Sequence, residues 1–202
     1  MVATDNRVVV TVHNRSYFGR QWLDRARSAH AVGDVFGAFF FGYIALVCSA
    51  TQMMADSEKS GRIQRDNSDD TWESRSIEES FTMRAGQIAE FVDSDMGKKI
   101  TAQLRLREIP GEANSRIVST SGDPHFAKIV DLLNKSWSPV RSASWTDASA
   151  EAHARACAYL FRRVRNRLFH GEKVNDPNCS DAEFLNHLNP LLFGTVEIVL
   201  VH

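Results

Sequence analysis

Between Ala152 and Gly171 the chain carries five arginines and no acidic residue, gathered ahead of His170. Arg163, Asn166, Arg167 and His170 are spaced so that they share one stripe of a helix. These residue types suit proton transfer beside a phosphate. An imidazole titrates near neutrality, so His170 can take a proton from an RNA 2′-hydroxyl or return one to a leaving oxygen. A neighbouring guanidinium can hold the scissile phosphate and offset charge as the pentacoordinate state forms. Asn166 stands four residues before His170, where its amide can orient the ring or bond the phosphate. The expected products are a 2′,3′-cyclic phosphate and a 5′-hydroxyl, with no cofactor and no metal required.

These side chains need a helix to carry them. From Asp147 onward the chain is a run of helix formers, and Cys157, Leu160, Phe161, Val164 and Leu168 recur at helical spacing. One face of the segment is therefore expected in a core and the arginine stripe is expected to be partly open. Gly171 is placed to close the helix in the left-handed conformation.

The residues RNRLFHG carry a resemblance. With Arg165, Asn166 after it and His170 five residues on, they resemble the Arg-x4–6-His motif of the HEPN superfamily, small all-helical domains of bacterial toxins, phage-defence ribonucleases and RNA-processing enzymes. The bare pattern also occurs at Arg7 to His13 and Arg25 to His30, but only the third copy ends a long apolar-striped helix followed by a polar turn and one more apolar helix. The resemblance implies a metal-independent endoribonuclease with Arg165, Asn166 and His170 as catalytic residues, and a toxin or phage-defence role. It also implies a homodimer whose motif helices meet. Residues five apart lie about 140° around an ideal helix, so Arg165 and His170 do not share a face unless the helix ends or bends at Phe169. A site composed across a dimer resolves that mismatch. Arg163 lies nearly on the face of His170 and can supply a local phosphate contact. Arg162, Arg163, Arg167 and Lys173 are the candidates for binding the RNA backbone. In some toxin–antitoxin relatives a tyrosine two residues after the motif histidine is modified by a nucleotidyltransferase partner; here Glu172 stands there, although Tyr159 lies on the same helix.

The rest of the chain reads as an α bundle of four to six helices in a single domain over residues 1–202. Arg7 to His13 is β-branched enough for a short N-terminal strand. Asn14 or Ser16 can cap a first helix to about His30, with Phe18, Trp22 and Ala26 on one side and Arg25 and His30 towards solvent. Gly33 and Asp34 break the chain and cap a second helix, Val35 to Met54, which has no charged residue. That length could cross a bilayer, but Ser49, Thr51 and Gln52 and the lack of flanking basic clusters favour the buried centre of a bundle. Residues 55–76 are polar and without period, and are expected to form a long loop. Ile77, Phe81, Ala85, Ile88 and Val92 restore the helical period, and Met96, Ile100 and Leu104 suggest a further helix after a break near Ser94. A loop over residues 109–122 precedes a helix opened by Asp123-Pro124, with Phe126, Ile129, Val130, Leu133 and Trp137 as its stripe. Ser180 and Glu183 open the last helix as a capping box, and Pro190 is expected to kink or split it.

Composition narrows the partners. Of 24 basic residues 18 are arginine, whose planar fork suits phosphate. Three cysteines without paired spacing fit a reducing compartment, and the first residues lack the layout of a secretory signal, so a cytoplasmic location is expected. His153, Cys157, Cys179 and His187 match no zinc spacing. The alternative to a nuclease is a non-catalytic HEPN-like module that binds RNA, a nucleotide or a protein partner through the arginine face. A membrane-tethered interaction protein is a third reading.

Overall fold

The computed structural model describes residues 13–61, 72–97, 99, 147–169 and 180–201. The principal helices are α1 (His13–Ala31), α2 (Val35–Lys59), α3 (Trp72–Met83), α4 (Ala85–Asp93), α5 (Asp147–Phe169) and α6 (Ser180–Leu200), and residues 95–97 and 99 are helical as well. No strand occurs among the described residues, and the fold is all-α. The expected strand lies almost wholly outside them, and its last member, His13, is helical. The predicted helix of residues 123–137 and the loops around it lie outside them too.

The bundle is built around α2, which packs against α1, α3, α5 and α6. The α1–α2 turn forms as its residues dictate. Gly33 takes φ +82°, which a side chain would resist, and the Asp34 carboxylate accepts the Gly37 N–H at 2.9 Å. Trp22 of α1 stacks on Phe41 of α2. At the centre of the core lie Phe39, Leu46, Met54, Ile77, Phe81, Ile88 and Phe161, with Leu185, Leu188, Leu191 and Leu192 of α6, all fully buried.

Several expectations are corrected. The first helix starts at His13, so Asn14 and Ser16 lie within it, and Phe18 is 42 % exposed because Gly19, Leu23 and Ala26 take the inner face. Residues 55–76 are not one loop. α2 continues through Lys59, since Gln52 bonds Asp56 one turn on and Ser57 is buried against α3, and α3 already begins at Trp72. Polar residues here cover helix ends, so polarity without period was a poor guide to a loop. The single helix expected through Ile77 and Val92 is two, broken at Arg84, whose N–H is shared between Ser80 and Phe81 carbonyls. The apolar face survives that break, and Ile77, Phe81, Ala85, Ile88 and Val92 are all buried.

Pro190 does not split α6, which runs unbroken from Ser180 to Leu200. Proline has no N–H to give the carbonyl four residues back, which belongs to Asn186. His30 Nε2 donates to that carbonyl at 3.2 Å, and its ring meets Phe193 edge-on. His30, expected to face solvent, instead ties α1 to α6. Arg25 is exposed, with its guanidinium over the Trp22 ring. The earlier Arg25–His30 match to the motif is thus part of the scaffold.

α2 is long and apolar enough to cross a membrane by length and composition, and just over half of its apolar window is buried in the bundle. Its burial is one-sided: Phe40 stays exposed, while Phe36, Phe41 and Val47 are half-buried on the outer side.

Candidate functional site

Cys157, Phe161 and Val164 bury one side of α5, with Leu160 beside them, and fix which way the arginine face can turn. Phe161 meets Phe81 of α3 edge-on. Further along, Arg162 pairs with Glu78 and Arg165 with Glu73, the latter at 3.5 Å. Contacts that descend α3 while ascending α5 make the two helices antiparallel. The helix that looked acid-free in sequence therefore receives its acids from its neighbour.

Arg165 is held from several sides. Nη2 faces Glu73 Oε2, Nη1 donates to Asn166 Oδ1 at 2.9 Å, and the guanidinium lies 5.7 Å from the centre of the Tyr43 ring. Because arginine only donates, the Asn166 amide must turn its oxygen to it, which leaves the NH2 end for another acceptor. Tyr43, 5 % exposed, donates its hydroxyl to Glu73 Oε1 at 2.9 Å. Burial first, and the Glu73 charge second, push the Tyr43 pKa far above its ordinary range. Tyr43 is therefore a fixed donor that holds the Glu73 side chain in place. The resulting chain, Tyr43 to Glu73 to Arg165 to Asn166, runs from the core of α2 to the partly open surface of α5.

Of the sequence-predicted residues, Arg165, Asn166 and Arg162 are described, and the first two are brought together. Arg163 and Arg167 lie on α5, their side chains outside the described set; His170 and Lys173 follow its last described residue. α5 runs unbroken through Phe169. Tyr43, Glu73 and Glu78 were not anticipated. Glu73 sat in the stretch read as a loop, and Tyr43 was one residue among many apolar ones. Its only signal was a hydroxyl within a charge-free helix. Among the described residues no three His, Cys, Asp or Glu side chains gather as a metal site.

Compared with protein-family models, with curated proteins and with solved structures, the chain matches none.

Proposed function

We propose that the chain is a metal-independent endoribonuclease of the HEPN type, acting at a site composed across a homodimer. The observation that supports this most is the restraint on Arg165. Its side chain is one-third exposed and its guanidinium is oriented by Glu73, Asn166 and the Tyr43 ring, on the helix that precedes His170 in the chain. A pre-oriented cation and a histidine that meet at one phosphate are what phosphodiester cleavage by the 2′-hydroxyl needs. In this reading His170 removes the 2′-hydroxyl proton, the 2′-oxygen displaces the 5′-oxygen at phosphorus, the imidazolium returns the proton to that leaving oxygen, and Arg165 stabilises the phosphorane oxygens. The Asn166 NH2 group bonds the phosphate or the imidazole, and Arg162, Arg163, Arg167 and Lys173 hold flanking phosphates. A toxin or defence role would suit such an activity, with an antitoxin or nucleotidyltransferase partner to restrain it, in a cytoplasmic setting.

A second reading rests on the same pairs. Glu73 and Glu78 neutralise two arginines of the face, which suits a non-catalytic module that binds RNA or a partner only where those pairs open. End analysis of RNA incubated with the protein separates the two. The nuclease reading expects 2′,3′-cyclic phosphate and 5′-hydroxyl termini. Stable RNA complexes with intact ends would favour the binding module.

A further inference from the structure

A second site lies away from the α5 arginines and does not depend on the reading above. A cleft of about 700 Å³ opens between α1, α4 and the C-terminal end of α6, and no residue of α5 lines it. That volume is within the range of small-molecule pockets. Three arginines line it, Arg20 and Arg27 from α1 and Arg84 from the α3–α4 break, with two acidic residues, Asp24 and Glu197.

Arg27 and Glu197 satisfy each other across the cleft. What remains is Arg20, which makes no ion pair among the described residues, together with Arg84 and Asp24. Arg84 Nη2 donates to the Val201 carbonyl at 2.6 Å, which fixes the side chain at the cleft wall. Its Nε is buried with no acceptor. A buried donor without a partner is unfavourable, and an arriving oxygen can relieve it after a small rotation of the side chain. Behind these groups lie Leu23 and Leu200, both buried, and the half-buried Ile198.

The lining makes three separate demands. Arg20 and Arg84 call for an oxyanion. Asp24 brings carboxyl oxygens that accept hydrogen bonds, so it calls for hydroxyl donors. The leucine floor calls for a flat or apolar body. Inorganic phosphate answers only the first demand, and a fatty acid leaves Asp24 without a donor. A phosphate, sugar hydroxyls and a planar base answer all three. We infer that this cleft binds a nucleoside monophosphate.

Calorimetric titration of the full chain with each of the four nucleoside 5′-monophosphates tests this, with adenosine and inorganic phosphate as separate arms. Saturable binding of at least one nucleotide is expected, about tenfold or more tighter than either fragment. Arg20→Glu, at an exposed position, should weaken it about tenfold or more, as should Arg84→Gln if its helical circular dichroism is unchanged. Arg165→Ala should leave it unaltered. The inference is overturned if none of the four binds the folded protein, or if Arg20→Glu changes nothing. It is equally overturned if phosphate alone binds as tightly, or if Arg165→Ala abolishes binding and so moves the ligand to α5.

Discussion

Arg165 and Glu73 face each other between α5 and α3, Nη2 to Oε2 at 3.5 Å, and Tyr43 secures the far oxygen of the same carboxylate at 2.9 Å. Both members of the ion pair are about one-third or more exposed, so solvent screens it and its contribution to stability is at most about 1 kcal/mol. Its main effect is to place a guanidinium. Glu73→Gln should therefore leave the unfolding midpoint in urea nearly unchanged. It should lower kcat for RNA cleavage by about tenfold with little change in KM. A matched loss of stability and activity would make Glu73 structural instead.

Asn166 and Arg165 belong to one protomer, while the composite-site proposal takes His170 from the other. Mixing inactive Arg165→Ala and His170→Ala chains should then restore activity, to about one quarter of wild type for random reassortment of an isologous dimer. Size-exclusion chromatography would check that both variants remain dimeric. No recovery after subunit exchange would place both groups on one chain.

The pairing of His30 with Asn186 exists because Pro190 withholds an N–H. His30→Ala should lower stability by about 1 kcal/mol. In a Pro190→Ala background the helix regains its own donor, and the same His30→Ala change should have about half that effect or less. Urea denaturation of the four proteins gives the coupling. Equal effects in both backgrounds would mean that the contact does not answer the proline.

The buried apolar positions were legible because burial at helical spacing writes itself into the chain. Cys157, Phe161, Val164, Leu188 and Val196 all occupy the core that their period predicts. Polar contacts between elements leave no such trace. Glu73 and Glu78 meet α5 only because α3 runs antiparallel to it, and nothing local to residues 72–78 encodes that neighbour. Phe18 faces outward although it shares the period of Ala26, since helix rotation is set by close approach at Gly19, where an added Cβ would lie 3.1 Å from Leu200. The Arg165–Asn166 pairing was half legible. Adjacency was visible in sequence, while the direction of the amide needed the arginine geometry.

Alkaline pH offers a separate check on the core. Burial raises the Cys157 thiol from 9.0 to about 12. Below pH 9 the thiol is neutral in both folded and unfolded chains. Above it the unfolded chain releases a proton that the folded chain retains, so stability falls by up to about 1.4 kcal/mol per pH unit until about pH 12. Tyr43, raised in the same direction, adds to the fall above its ordinary value of 10.0. Urea unfolding at pH 8 and about pH 10.5 should show the drop, and Cys157→Ala should reduce it to the smaller Tyr43 contribution. A pH-independent midpoint would contradict the burial of both groups.

The central claim is tested most directly by incubating end-labelled transfer RNA and total RNA with purified protein in the presence of a chelator. Wild type, Arg165→Ala and His170→Ala should run side by side, each confirmed as folded. The account predicts chelator-resistant cleavage by wild type that both substitutions abolish. Cleavage that persists in His170→Ala, or no cleavage by wild type under conditions where it binds RNA, would contradict it.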